Sequence, residues 1–307
     1  MVNKYDVITF GSATWDIYLT PKEMSLIPSS DFISGEAIAF NLGSKIGLKK
    51  TSFNIGGGGV NSAHTFKGQG FKVAYFGSVG DDILGSEIIN KLKKLKIETK
   101  LIQVVKASTN CSVIFNLKGK DRTVMVYRGA SEGFKVEKLS KAKWFYLAPL
   151  SGKSASKTQT IIDFAFRNKI KVAFNPGNSQ LSLPSKNLKN ILDKVDVLML
   201  NQEEASILTK NKYQDEDKII KDLIKLYKGT IVMTKGDRGV TVVYKEKIYI
   251  EKSKVIKAID KTGAGDAFNS AFISSLIKND DVLKAINLGF KNASSCIKKE
   301  GSTNGLL

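Results

Sequence analysis

Between residues 144 and 234 the chain alternates between two hydrophobic periods. Short apolar runs at 144–148, 171–174, 197–200 and 230–234 read as strands, and the stretches between them, 154–168, 185–193, 202–209 and 215–227, carry helical spacing. Short strands alternating with helices predict a parallel sheet covered on both faces. The first half adds strands at 1–10, 17–20 and 71–80 and helices at 60–68 and 84–96. Two stretches break the pattern. Residues 21–50 are rich in Pro, Ser and Gly with short β-like pieces such as 37–40, and two alternating runs from 111 to 126 flank 117–121 as a β-hairpin. Together, segments of about 13–45 and 108–128 predict a small antiparallel sheet beside the main one. Near the C-terminus, 254–259 alternates as a strand. Ala267, Phe268, Ala271, Phe272, Ile273, Leu276 and Ile277 then recur as one apolar face of a helix of about four turns. The expected fold class is α/β, a doubly wound, mostly parallel sheet in a single domain over 1–307 with a β appendage.

Composition narrows the setting. The 307 residues, 42% of them hydrophobic, suffice for a large core. No apolar run approaches the roughly 20 residues of a spanning helix, and the first ten residues lack the apolar region of a signal peptide. Cys111 and Cys296 stand alone, without a CxxC or metal-ligand spacing. A cytoplasmic, reducing setting is expected. The formal charge of +19 raises the question of nucleic acid. However, the basic residues are dispersed and nearly all Lys, with Arg only at Arg122, Arg128, Arg167 and Arg238. The densest run, 91–96, reads as the solvated face of a helix whose Ile88, Leu92 and Leu95 point inward. Specific nucleic-acid binding is therefore not expected. A basic surface also steers anionic nucleotides.

The strongest chemical signal is Asp260-Lys261-Thr262-Gly263-Ala264-Gly265-Asp266, at the start of the C-terminal helix. Glycines where a chain enters a helix leave N–H groups uncovered, and with the helix dipole these form an anion site. Asp266 beside such a site has two readings. It is either a general base for a hydroxyl attacking a phosphoryl group or a decoration of the first helical turn.

Other candidates sit at expected strand ends, where doubly wound sheets bind ligands. Asp16 follows the small-residue turn 11–15, either as a ligand group or as a turn-stabilising Asp. Four consecutive glycines, 56–59, open a helix carrying Asn61, whose amide suits a hydroxylated ligand; a flexible loop is the alternative. His64, the only histidine, reads as packing or surface. Asn201 and Glu204 follow a strand, as ligands near a metal-bound phosphate or as a capping box. Residues 232–240 form strand, glycine turn and strand, either holding a nucleotide or making a plain hairpin.

These motifs, in this order, resemble the ribokinase-like (PfkB) family of sugar and nucleoside kinases. The resemblance runs from Gly11 to Gly301 and rests on two signatures, 56–61 and 260–266. It implies ATP-dependent phosphoryl transfer to an alcohol, with Asp266 taking the hydroxyl proton and Gly263, Ala264 and Gly265 supplying N–H groups to the phosphoryl. Asp16, Gly57 and Asn61 match acceptor-binding positions. Asn201 and Glu204 match the family's Asn-x-x-Glu, linked to Mg2+ and phosphate. Thr234, Gly236 and Gly239 match the nucleotide turn, and Asn292 an adenine-proximal position. Asp260 and Thr262 resemble the monovalent-cation site of potassium-activated members. The β appendage corresponds to the family's lid, which also supports homodimers.

Gly58 departs from the pattern, since ribokinases commonly carry Lys there; this removes one polar sugar contact. Arg128 is either a contact to a polar or anionic acceptor in its place, or a surface Arg. A sugar kinase is the leading expectation. The alternative is a nucleoside kinase whose base stacks on Trp15, Phe32, Phe40 or Phe115, unless these are core. A non-catalytic sugar- or nucleotide-binding protein is disfavoured by the intact Asp266 turn.

Overall fold

The computed structural model describes residues 4–32, 35–115 and 122–307. In the first half, strand β1 (Tyr5–Phe10) leads through a turn into β2 (Thr14–Pro21) and the hairpin of β3 (Ser25–Pro28) and β4 (Glu36–Ala39). Next come β5 (Leu48–Gly56), α1 (Gly58–Gly68), β6 (Val73–Gly80), α2 (Ile83–Lys94), β7 (Ile102–Val105), β8 (Asn110–Phe115) and β9 (Thr123–Tyr127). The alternating half holds β10 (Ala142–Leu147), α3 (Thr158–Arg167), β11 (Lys171–Phe174), α4 (Asn178–Leu181), α5 (Ser185–Leu192), β12 (Val197–Asn201), α6 (Gln202–Thr209) and α7 (Glu216–Leu226). It closes with β13 (Thr230–Thr234), β14 (Val240–Tyr244), β15 (Lys247–Glu251), α8 (Ala264–Asn279) and α9 (Val282–Cys296).

Among the described residues the main sheet has nine strands in the order β15-β14-β13-β12-β11-β10-β1-β6-β7. Pairing is parallel from β7 through β13, and antiparallel only at β14 and β15. Strands such as β6, buried along their whole length, read as apolar runs because helices cover both faces. One core joins Phe10, Phe145, Phe174 and Leu200 to α3, α5 and α7. The other joins Tyr75, Tyr146 and Met199 to α1, α2, α8 and α9. From β1 the chain runs first outward to β6, then returns to β10 on the other side. The switch point therefore lies between β1 and β10, where such sheets form a crevice.

The β appendage expected as a lid is, among the described residues, a four-stranded sheet, β5-β2-β8-β9, with β3 and β4 paired separately. Its outer ladders are antiparallel as expected, but β2 and β8 pair in parallel. The hairpin strands β8 and β9 match the expected pair, and the turn expected at 117–121 falls outside the described residues. Asn110 at the foot of β8 ties the lid down. Its Nδ2 donates to Ala13 O (3.0 Å), and its Oδ1 accepts from Ser131 N (3.0 Å).

Three expectations are corrected. Residues 254–259 form no strand: after β15, the sheet edge, no neighbour is available, and the chain is held instead by Ile259 N and Asp260 N donating to Ile297 O (2.7 and 3.2 Å). Helix α8 is not amphipathic, because every residue from Ala267 to Leu276 is buried. Its serines survive there by bonding one turn back, Ser270 Oγ to Asp266 O (2.5 Å) and Ser274 Oγ to Ser270 O (2.8 Å). Nor is α8 the last helix, since α9 follows and packs against it. No described helix is long and apolar enough to cross a membrane.

Candidate active site

The two glycine turns meet. Helix α1 starts at Gly58 with Gly57 as its N-cap at φ 94°, where a Cβ would lie 2.5 Å from Ser12 O. The glycine run is thus packed and structured rather than a flexible loop. At Gly56 a Cβ would overlap Asp16 Oδ2, so the missing side chain makes room for that carboxylate. Helix α8 opens from Gly263, in the left-handed region at φ 78°. In its first turn Ala264 N donates to Lys261 O (3.3 Å) and Ala267 N to Gly263 O (2.8 Å), which leaves the Gly265 and Asp266 N–H groups without a backbone carbonyl, and nothing lies within 4 Å of where a Cβ on Gly265 would sit.

Asp266 does not cap its helix. Asn61 Nδ2, on α1, donates to Asp266 Oδ2 at 2.8 Å across 205 residues of sequence. Burial pushes the Asp266 carboxyl above its ordinary value, and the Asn61 bond works against that shift. Asp16 is 4% exposed, opposite Ser112 in the β2–β8 register. Burial lifts it to about 7, with Asp260 adding to the rise and a hydrogen bond from Ser112 opposing it. Glu204 is also lifted to about 7, first by burial, with the Asp266 charge contributing. Glu204 and Asn201 form the reciprocal capping box, each side chain accepting from the other's N–H at 2.8 Å.

A carboxyl whose folded value is raised holds a proton that the unfolded chain has released between about pH 4 and 7, so it costs stability as pH rises through that window. Asp16→Asn is therefore expected to melt higher than wild type at pH 8, with the gap closing toward pH 4 in thermal unfolding. A gap independent of pH would contradict a buried, strained Asp16.

Around Asp260, the carboxylate accepts from Thr262 N (2.9 Å) and Gly301 N (3.0 Å). Thr262 Oγ1 is buried without a hydrogen-bond partner. The Tyr18 hydroxyl is likewise buried without a hydrogen-bond partner, and burial, with the Asp260 charge adding to it, pushes it up. At the turn expected to hold a nucleotide, Lys235 N donates to Gly239 O (2.8 Å), with Gly236 and Gly239 at φ 62° and 104°. Thr234 closes β13 beside them. Lys235 Nζ is buried and pairs with Glu216 at 2.5 Å, and Arg238 bonds Gln202. Among the described residues no group of three His, Cys, Asp or Glu side chains is placed to hold a metal.

Asn292 is a correction. It is fully buried, donating to Thr65 Oγ1 (3.1 Å) and Ala267 O (2.8 Å) and accepting from Leu307 N (2.7 Å). With both ends of its amide engaged inside the α1–α8–α9 packing, it has none free for adenine. Arg128 is exposed just beyond β9. His64 is half-buried, and burial lowers its pKa. Trp15 and Phe115 fall on the side of the lid sheet away from Asp16 by strand alternation. Trp15 packs on the core under Lys91, and Phe115 meets Phe40 at 5.7 Å. Phe32 is exposed beyond β3. Sequence reasoning missed Ser112, Tyr18, the pairing of Lys235 with Glu216 and the segment 300–304, because these contacts join parts of the chain that no local spacing links.

The model of the pfkB family carbohydrate kinase matches residues 24–307. A ribokinase of Haemophilus influenzae is 29% identical over 265 residues, which cover 82% of this chain and 83% of the relative. The structure of a nucleoside kinase from Methanocaldococcus jannaschii aligns with a TM-score of 0.79 at 21% identity, covering 99% of this chain and 96% of that one. Arabidopsis thaliana ribokinase complexed with ribose and ATP also reaches 0.79, at 20% identity, covering 98% and 95%. At these identities the structures attest the shared fold. The family match spans both glycine turns, 56–61 and 260–266, and it places this chain in the pfkB family of carbohydrate kinases, phosphotransferases with an alcohol group as acceptor.

Proposed function

We propose that this protein transfers the γ-phosphoryl group of ATP to a hydroxyl of a small sugar. The observation that carries this reading is the 2.8 Å bond between Asn61 and Asp266. It brings the acceptor turn to the anion turn, so a hydroxyl held by one lies beside a carboxylate at the mouth of the other. Asp266 accepts the hydroxyl proton, while Gly263, Ala264 and Gly265 form the anion hole for the transferring phosphoryl. Asp16, Gly57 and Asn61 hold the acceptor, with Gly58 alongside. Thr234, Gly236, Gly239 and Asn201 face the nucleotide.

Magnesium supplies charge neutralisation on the phosphates. The half-buried Glu204 carboxyl would act on that ion indirectly. Asp260 with the unpartnered Thr262 hydroxyl is a donor set that fits a monovalent cation such as K+. The lid side bearing Asp16 also carries Asn54, Ser112, Ser52 and Tyr18, polar groups suited to a polyol. The opposite side exposes Phe53, Met125 and Tyr127, consistent with a homodimer through the lid. A cytoplasmic location belongs to the same reading.

A nucleoside acceptor is less well served, because Trp15 and Phe115 lie on the wrong side of the lid to stack a base near Asp16. ADP release with ATP, Mg2+ and a panel of ribose, fructose, other hexoses and adenosine tests the choice. A sugar is expected to show kcat/KM at least about tenfold above any nucleoside. A nucleoside at the head of the panel would replace the sugar reading, and no turnover with any acceptor would leave a binding protein.

A further inference from the structure

Ser302 lies in an unremarkable stretch of sequence, Glu300-Gly301-Ser302-Thr303-Asn304, beyond the last helix. In the fold it sits where the two glycine turns converge. It is 1% exposed. A Cβ on Gly263 would lie 2.6 Å from Ser302 Cβ, and one on Gly56 would lie 2.9 Å from Ser302 Oγ. Both turns leave out side chains against the same residue.

The Ser302 hydroxyl donates to Asn61 Oδ1 at 3.0 Å, and Asn61 Nδ2 donates to Asp266 Oδ2 at 2.8 Å. A hydroxyl can serve either end of an amide, whereas an ionised carboxylate only accepts. Asp266 therefore dictates the amide's orientation while it is charged, and Ser302 satisfies the end left over. Asn61 is 3% exposed, so without Ser302 its carbonyl would be buried and unpaired.

Ser302 is itself anchored on both sides. Gly301 N donates to Asp260 Oδ2 (3.0 Å), Thr303 Oγ1 donates to Ile55 O (3.2 Å), and Asn304 Nδ2 donates to Asn54 Oδ1 (2.8 Å). Glu300 adds contacts to lid strand β5, accepting from Lys50 Nζ (2.9 Å) and Ser52 Oγ (2.5 Å).

We propose that Ser302 is a positioning residue that holds the Asn61 amide against Asp266, and so fixes the geometry of the base. This rests on the reading of Asp266 as the general base. Ser302→Ala is expected to lower kcat about five- to tenfold with the KM for ATP unchanged, and to leave folding intact by thermal melt. In an Asn61→Ala background, Ser302→Ala is expected to cost no further activity, because its effect runs through that amide. Unchanged kcat in the single variant, or a full additional loss in the double variant, would overturn the proposal. If the wild-type protein turns over no acceptor, the kinase reading fails by itself, and a crystal structure of Ser302→Ala decides the positioning role. A displaced Asn61 amide supports it, and Asn61 still bonded to Asp266 in its present geometry refutes it.

Discussion

Asp266→Asn is expected to lower kcat and kcat/KM together by about 10³-fold, within the range usual for removal of a general base. The change is nearly isosteric and leaves α8 intact, so the lost capacity is proton acceptance. The environment of Asp266 suits that task. Burial raises its proton affinity and Asn61 keeps the charged form accessible. The N–H groups of the anion turn and the dipole of α8 are unaltered, so calorimetry should give an ATP Kd close to that of wild type. Near-normal turnover by this variant would remove the mechanism, whatever the acceptor. Loss of ATP binding as well would mean that the substitution had disturbed the turn rather than the chemistry.

Gly56→Ala is expected to act on the other substrate. Gly56 is not in the left-handed region, so an added methyl brings little backbone strain. The methyl would instead occupy the space of Asp16 Oδ2 and press on Ser302 Oγ at 2.9 Å. Asp16 would have to swing away from its place beside Ser112. The acceptor KM is expected to rise by roughly 10²-fold, the scale of losing a charge-assisted hydrogen-bond pair, while the ATP Kd holds. Steady-state kinetics with each substrate varied in turn checks this. An unchanged acceptor KM would show that Asp16 does not hold the acceptor.

Much of the fold was legible because its signals are local. The strands at 171–174, 197–200 and 230–234 and the helix at 202–209 stand where periodicity put them, since buried parallel strands and their helices must be patterned for the core. The exceptions have physical causes. Strand β5 is exposed along most of its length and carries Lys49, Lys50, Thr51 and Ser52, so it has no apolar period to read. Residues 254–259 have strand-like alternation but no strand beside them, and β structure requires a partner. Helix α8 shows no polar face because α1, α9 and the sheet enclose it.

In the site, the sequence by itself determined the parts. It contained two glycine turns whose backbone conformations demand glycine, a carboxylate in the first turn of α8, an amide on α1 and a capping box after β12. Turn chemistry and helix capping are properties of a few adjacent residues, so they can be read without the fold. Only the tertiary structure decided which parts meet. It joined Asn61 to Asp266 and set Ser302 behind them. It also enclosed Asn292 in packing, although its position had suggested an adenine contact. Burial, which lifts Asp16 and Glu204 to about 7, is likewise set by remote segments of the chain. Pairings across 200 residues and the dielectric around a carboxylate depend on packing between elements, and no local spacing encodes them.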